Sequence, residues 1–179
     1  MYIYSTGFIV GRFQPMHRGH EFMIMKGLSV CRRLLVVIGS ADKHGTPRNP
    51  FSYEQRKRWI KQCCPFIDVI PIDDLHEDPV DGGEWGDYLL ETVEHHLGYI
   101  PQLYISGMEV AGRTNWFNGI ERAKNIEQLM IPRRYNCSSS KVRDYLLNGE
   151  YGEWRSSMPY MLSNTSVYEE QRKTIMRIL

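Results

Sequence analysis

Two patterns of apolar positions alternate along the chain. Runs of consecutive apolar and β-branched residues predict strands at residues 3–10, 34–39, 66–72, 101–106 and 126–131. Apolar residues three or four positions apart predict helices at 21–31, 52–63, 84–97 and 166–179, a short helix within 113–125, and another from 138–140 to 149. This alternation predicts an α/β fold: a Rossmann-like doubly wound parallel sheet of about five or six strands, with helices on both faces and a small helical C-terminal segment.

The chain has no internal repeat, low-complexity tract or linker-like segment that would divide its 179 residues. This length is enough for one domain with a sizeable core. We therefore predict a single domain over residues 1–160, with residues 161–179 forming a C-terminal helix packed on it.

Composition argues against a nucleic-acid-binding protein, a membrane protein and a disulfide-bonded protein. Lys and Arg number 22 against 21 Asp and Glu, and this balance argues against a nucleic-acid partner. No apolar run approaches the roughly 18 residues that cross a bilayer, so we expect no membrane association. The four cysteines form no Cys-x-x-Cys pair, and no secretory leader precedes them. We expect free thiols in a reducing cytoplasm.

Residues 11–20 form the densest cluster of candidate chemistry. They read Gly-Arg-Phe-Gln-Pro-Met-His-Arg-Gly-His and join the first predicted strand to the first predicted helix. A helix N-terminus presents unpaired backbone N–H groups and a positive dipole to an anion. His17 and His20 add cationic or donor side chains, and Gly11 and Gly19 let a ligand approach the backbone. The segment predicts a phosphate-binding site.

The spacing of the two histidines has other interpretations. A His-x-x-His pair on a helix can share a metal ion, but a zinc site needs a third or fourth ligand, and the sequence shows no such cluster nearby. The pair can also be ordinary surface histidines at a helix start. The Gly-Arg-Phe-Gln-Pro segment that precedes them favours the nucleotide-phosphate site.

Residues 138–143, Ser-Ser-Ser-Lys-Val-Arg, combine three hydroxyls, a predicted helix start and two cations. This composition is typical of a second anion-binding site. Ser-x-x-Lys also occurs in serine acyl-enzymes, but their supporting motifs are absent. A capped helix with exposed cations is the remaining alternative. Paired with residues 11–20, the segment is best interpreted as a clamp for a triphosphate.

The candidate segments share one position relative to the predicted strands. Each follows the carboxyl end of a strand, at residues 11–20, 39–51, 73–85 and 106–109. An open parallel sheet binds ligands beyond the carboxyl ends of its strands, at the switch in strand order. The agreement among the four segments predicts one shared site.

Several short motifs stand in a distinctive order along the chain. They occupy positions 11–15, 17–20, 38–41, 48–51, 56, 85, 106–107 and 138–143. From about Ile9 to Pro159 the chain resembles the nicotinamide-mononucleotide adenylyltransferases of the archaeal type. The His-x-Gly-His motif at 17–20 marks the wider nucleotidyltransferase superfamily. The Arg-Asn-Pro-Phe motif at 48–51 and Trp85 narrow the resemblance to the nicotinamide branch.

This resemblance implies that residues 1–160 form a nucleotidyltransferase domain. It implies transfer of AMP from ATP to nicotinamide mononucleotide, which gives NAD and pyrophosphate by direct in-line attack without a covalent intermediate. The implied cofactor is Mg²⁺, held mainly by the ATP phosphates and not by side chains. Because related enzymes are commonly oligomers, a homo-oligomer is expected.

The resemblance also implies roles for individual residues. The implied catalytic residues are His17, His20 and Arg143. The implied ATP-binding residues are Gly11, Arg12, Phe13, Gln14, His17, Gly19, His20, Ser138, Ser140 and Arg143. The implied residues for the nicotinamide nucleotide are Ser40, Arg48, Asn49, Trp85, Ser106 and Gly107.

Two departures from the family pattern are specific to this chain. Ser139 and Ser140 stand where the family commonly has Gly-Thr, and Met108 and Glu109 stand where it often has Asn and Pro. Two alternative functions also stay open. One is a related nucleotidyltransferase that acts on phosphopantetheine or another phosphate-bearing acceptor, and the other is a non-catalytic nucleotide-sensing module.

Overall fold

The computed structural model describes residues 2–75, 82–107 and 117–178. Within these residues, five strands form one parallel sheet in the order β3-β2-β1-β4-β5. The strands are β1 (Tyr4–Gly11), β2 (Cys31–Ile38), β3 (Asp68–Pro71), β4 (Leu103–Gly107) and β5 (Glu127–Ile131). The α/β class and the doubly wound parallel sheet predicted from the sequence are confirmed.

Six α-helices surround the sheet in the described part of the chain. They are α1 (Arg18–Val30), α2 (Tyr53–Cys63), α3 (Gly82–Leu97), α4 (Ser139–Asn148), α5 (Tyr151–Ser157) and α6 (Thr165–Met176). Short 3₁₀ helices lie at Phe117–Gly119, Glu121–Ala123 and Tyr160–Leu162. None of the described helices is long and apolar enough to cross a membrane.

The sheet separates two apolar cores, because successive side chains of a strand point to opposite faces. In β2, Val36 packs into the core that contains residues of α1, α2, α4, α5 and α6. Its neighbours Leu35 and Val37 pack into the other core, with α3 and the first two 3₁₀ helices. This burial on both faces explains why the run in β2 is continuously apolar.

Several element boundaries differ from the sequence prediction. Helix α1 begins at Arg18, three residues early, because the side chain of His17 caps it. Strand β2 begins at Cys31, directly after α1 ends at Val30. Helix α5 was not predicted, since seven residues around the buried Trp154 are too few for a clear helical period. The short helix predicted within 113–125 lies partly outside the described residues, as do the candidate segments at 73–85 and 106–109.

The strand order places the switch point between β1 and β4. From β1 the chain builds outward to β2 and β3, and it then crosses back to add β4 and β5 on the other side. The connections from neighbouring strands leave in opposite directions at this position, so their carboxyl ends border a crevice.

Candidate active site

A cleft of about 540 Å³ opens at the carboxyl ends of β1 and β4. Eleven residues predicted for the site line it: Gly11, Arg12, His17, Gly19, His20, Ser40, Arg48, Trp85, Ser106, Gly107 and Ser138. They come from β1, the loops after β1 and β2, the first turn of α1, helix α3, strand β4 and the segment before α4. The fold therefore brings most of the predicted residues into one cavity.

His17 and His20 are fixed by the start of α1. Nδ1 of His17 accepts a hydrogen bond from the Gly19 N–H at 3.1 Å, and Nδ1 of His20 accepts one from the His17 N–H at 3.3 Å. This reciprocal pattern is a capping box. The two rings stack with their centroids 3.8 Å apart, and Phe13 packs on the ring of His20 at 4.6 Å.

The imidazole of His20 is a neutral donor and not a cation. The pKa of His20 lies well below its ordinary value, because burial desolvates much of the partly exposed ring and because His17 lies beside it. Since Nδ1 accepts a hydrogen bond, the neutral ring holds its proton on Nε2. Of the two possibilities that the sequence left open, cation or donor, the structure supports the donor.

The first turn of α4 is tied to the loop after β1. Nη1 of Arg143 donates to the Gln14 carbonyl at 2.7 Å, and the Ser139 hydroxyl donates to the Pro15 carbonyl at 3.0 Å. Ser138 caps α4 by accepting a hydrogen bond from the Lys141 N–H at 3.2 Å. These contacts hold the two predicted phosphate-binding segments against each other.

Several guanidinium groups give the cleft a positive charge. The pKa of Arg12 is lowered by partial burial and then by the nearby charges of Arg48 and Arg143. Arg133 and Arg134, which follow β5, also line the cleft. A guanidinium keeps its proton at neutral pH despite such a shift, so the cluster is suited to an anionic ligand.

The part of the cleft beyond β2 and β4 contains hydroxyls and an aromatic ring as well as Arg48. The Ser40 hydroxyl donates to a carboxylate oxygen of Asp74 at 2.9 Å. The Ser106 hydroxyl accepts a hydrogen bond from the Gln128 side chain at 3.1 Å. Trp85, half-buried on α3, adds an indole ring to the same lining. An aromatic ring with hydroxyls around it suits a planar base attached to a sugar.

Five other predicted site residues are not among those that line the cleft: Phe13, Gln14, Asn49, Ser140 and Arg143. The buried Gln14 amide pairs with the backbone of Phe51 through two hydrogen bonds of 2.9 Å. The Asn49 side-chain oxygen accepts a hydrogen bond from Arg12 at 3.4 Å, and the Ser140 hydroxyl accepts one from Arg143 at 3.3 Å. Phe13 and Asn49 thus contact residues of the lining, whereas the contacts of Gln14, Ser140 and Arg143 are with residues behind it.

Sequence reasoning missed part of the lining. The missed residues are Val10, Phe22, Met23, Tyr104, Cys137 and residues 131–135, whereas Gly39 and Asp74 lie in predicted site segments but were given no role. The Pro-Arg-Arg triplet at 132–134 follows β5 directly, and its place at the carboxyl end of a strand was the available signal. Met108 and Glu109, the departures noted in the sequence, lie outside the described residues.

The metal-ligating potential of the described residues is small. They contain no group of three or more His, Cys, Asp or Glu side chains that could hold a metal ion. Asp74 is the carboxylate within the described lining of the cleft, and it already accepts the hydrogen bond from Ser40.

Comparison with known proteins extends this description. Residues 8–145 match the cytidylyltransferase-like family. The nicotinamide-nucleotide adenylyltransferase of Methanolobus tindarius is 30% identical over 158 residues, which is 85% of this chain and 82% of that protein. The enzyme of the same name from Haloarcula marismortui is 35% identical over 159 residues, covering 86% and 76% of the two chains.

A solved structure shares the fold at lower identity. It is a bifunctional NMN adenylyltransferase/ADP ribose pyrophosphatase of Francisella tularensis in complex with AMP and a manganese ion. The TM-score is 0.73 at 20% identity, and the match covers 98% of this chain but only 52% of that one. The chain therefore belongs to the cytidylyltransferase-like family, among the enzymes named nicotinamide-nucleotide adenylyltransferases.

Proposed function

We propose that this chain transfers AMP from ATP to nicotinamide mononucleotide and forms NAD and pyrophosphate. The observation that carries the proposal is the His17 and His20 capping box, which fixes two imidazoles beside the N-terminus of α1 within a cationic cleft. Helix N-termini and oriented donors of this kind bind phosphate groups. The names of the relatives support the same acceptor.

The reaction needs no general base. The attacking group is a phosphate monoester whose second pKa is about 6, so it is already an oxyanion near neutral pH. We propose direct in-line attack of this oxyanion on the α-phosphorus of ATP, with pyrophosphate leaving and no covalent intermediate. Catalysis then depends on holding two polyanions together and on stabilising the charge of the transition state.

Three residues are proposed to act on the reacting phosphates. The neutral His20 would donate its Nε2 proton in a hydrogen bond to a phosphate oxygen as negative charge develops, with His17 beside it as a second donor. Arg143, bonded to the Gln14 carbonyl, would add a positive charge at the start of α4. Arg12, with the backbone of Gly11 and Gly19, would bind the remaining phosphates of ATP.

The acceptor is proposed to occupy the opposite side of the cleft. Trp85 would stack on the nicotinamide ring, and Arg48 would bind the phosphate of the mononucleotide. Ser40, Ser106 and Gly107 line the same side, where hydroxyls and a bare backbone suit contacts to a ribose. A homo-oligomeric state and a cytoplasmic location remain predictions from the sequence.

We also propose Mg²⁺ as the cofactor. The ATP phosphate oxygens would be its main ligands, since Mg²⁺ is usually bound through substrate phosphates. When bound, the metal would neutralise part of the triphosphate charge. The solved relative in complex with a manganese ion supports the use of a divalent metal.

Incubation with ATP, Mg²⁺ and nicotinamide mononucleotide tests the proposal, with NAD and pyrophosphate measured together. We expect His20→Ala, which has no side-chain donor, to lower kcat by about 10² to 10³, the usual cost of losing one transition-state donor. Circular dichroism checks that the variant keeps its fold. The matched control is His96→Ala, at an exposed position near the end of α3.

The outcomes of this experiment distinguish the proposed reaction from the two alternative functions. Wild-type turnover by folded His20→Ala would remove His20 from the mechanism. A substrate panel tests the choice of substrates, with phosphopantetheine as an alternative acceptor and CTP as an alternative nucleotide donor. A preference for phosphopantetheine would contradict the nicotinamide assignment, and a preference for CTP would contradict ATP as the donor. Tight ATP binding without any turnover would instead support a sensing module.

A further inference from the structure

Arg56, in helix α2, is a charged residue that is fully buried. Its guanidinium donates four hydrogen bonds, all to backbone carbonyls. Nη1 donates to Arg12 and Gly39 at 2.9 Å each, Nη2 to Ser40 at 3.0 Å, and Nε to Ser52 at 3.2 Å. Burial lowers the pKa of Arg56 to about 10, so the group stays protonated at neutral pH.

These carbonyls belong to the segments that leave β1 and β2 at the edge of the cleft. Two non-glycine residues there have positive φ, Phe13 at 52° and Ser40 at 49°. L-residues rarely adopt this conformation, and it persists only where the surrounding structure enforces it. Nη1 of Arg56 bonds the carbonyl that precedes Phe13, and Nη2 bonds the carbonyl of Ser40 itself.

The backbone conformation at these positions decides where two side chains of the cleft point. Arg12 lies directly before Phe13, and its guanidinium reaches Asn49 on the loop after β2. Ser40 directs its hydroxyl to Asp74 beyond β3. Arg56 itself does not belong to the lining of the cleft, so any effect it has on a ligand passes through these neighbours.

We infer that Arg56 is a positioning residue that fixes Arg12 on the ATP side and Ser40 on the acceptor side. A single group thereby sets the relative placement of both substrates across the ends of β1 and β2. This inference rests on the proposed function for the identity of the two substrates. A lysine cannot replace this group, because one ammonium on a flexible stem does not reproduce a planar fork that bonds four carbonyls.

The main test compares Arg56→Lys, Arg56→Gln and the control Arg58→Gln. Arg58 is exposed on the same helix and pairs with Glu170, away from the cleft. We expect both Arg56 variants to raise KM for ATP and for nicotinamide mononucleotide about tenfold or more, while kcat changes less, because His20 and Arg143 are held by other contacts. A folded Arg56→Lys variant with wild-type KM values would overturn the inference.

A double-mutant cycle tests whether Arg56 acts through Arg12. In the Arg12→Ala background, Arg56→Lys should change KM for ATP much less than it does in the wild type, since the positioned group is gone. A purely structural role for Arg56 would give independent, additive effects, and that result would contradict positioning.

Two measurements remain informative if the variants unfold or the proposed reaction fails. Calorimetric titration with ATP alone tests the ATP side without turnover, and equal ATP affinity in wild type and folded Arg56→Lys would count against positioning there. In the wild type, nitrogen NMR of the Arg56 side chain should show separate Nη1 and Nη2 signals before and after ATP is added. Averaged signals in the ATP complex would show that the four bonds do not hold the guanidinium, and would overturn the inference.

Discussion

The two ring nitrogens of His20 have different tasks. Nδ1 accepts the hydrogen bond from the His17 N–H and completes the capping box, which leaves the proton of the neutral ring on Nε2. A protonated ring could not accept that bond. The hydrogen bond that begins α1 therefore also fixes the protonation state that the proposed mechanism uses.

Stability should respond to pH at this residue. The folded-state pKa of His20 lies below its unfolded value, so the unfolded chain binds more protons in the window between the two values. Unfolding free energy should therefore fall as pH drops below about 6.5, the ordinary value for histidine. Urea titrations from pH 7.5 to 5 should show a steeper loss for the wild type than for His20→Gln, which does not titrate. Equal losses in the two proteins would contradict the assignment.

At this scale, residue type and spacing predicted both histidines, two of the four arginines and all three serines in the described lining of the cleft. They could not show that Arg143 and Gln14 contribute through backbone contacts, because those hydrogen bonds exist only when loops far apart in sequence meet. The sequence likewise could not show the backbone contacts of Arg56. A buried arginine whose partners are carbonyls leaves no acidic partner in the sequence to signal it.

Among the elements, the start of α1 was predicted less accurately than the start of α2. Histidine is not one of the preferred N-cap residues, so the pattern of Ser, Thr, Asp and Asn gave no helix start at position 17. The predicted start at 21 was late by one turn for this reason. For α2, where Ser52 and Gln55 form an ordinary capping box, the predicted start was right.

Helix α1 packs so closely on the sheet that one of its glycines has no room for a side chain. A Cβ on Gly27 would lie 2.7 Å from a Leu34 methyl and 2.8 Å from an Ile105 methyl, and both residues are buried. We expect Gly27→Ala to lower the unfolding free energy by about 1 kcal/mol, because overpacking outweighs the gain in helix propensity.

Gly152, in α5, provides the matched control. A Cβ there meets nothing within 4 Å. Gly152→Ala should therefore raise the unfolding free energy by a few tenths to about 1 kcal/mol. Denaturant titrations of both variants measure the two values. A Gly27→Ala protein at least as stable as wild type would show that the contact between α1 and the sheet is looser than described.

At the scale of the whole molecule, the candidate site is formed by segments that are far apart in sequence. Residues 11–20, 39–51, 85, 106–107 and 131–138 all contribute to the cleft. Their convergence could be predicted because the carboxyl ends of parallel strands share one edge of a sheet. The strand order could not be predicted, since apolar runs do not specify which strands are neighbours. This is why the loop after β5, beside β4, was not assigned to the site.

Because the cleft is lined by segments from distant parts of the chain, a ligand that binds there should stabilise the whole fold. A ligand at about 100 times its Kd adds about 2.7 kcal/mol to the unfolding free energy. We expect ATP and nicotinamide mononucleotide each to raise the thermal midpoint, and more so at low salt, because the cleft is cationic. Arg48→Gln should reduce the shift caused by the mononucleotide more than the shift caused by ATP. The reverse order would contradict the assignment of Arg48 to the acceptor.

Helix α1 passes into β2 with no residue between Val30 and Cys31. Helix α1, whose N-terminus is proposed to bind phosphate, is therefore joined to the central sheet without an intervening loop. The junction also sets the phase of the strand. One extra residue there would shift β2 by half a pleat repeat and exchange the side chains that face its two cores. The length of α1 is thus part of the information that decides which apolar residues meet on each side of the sheet.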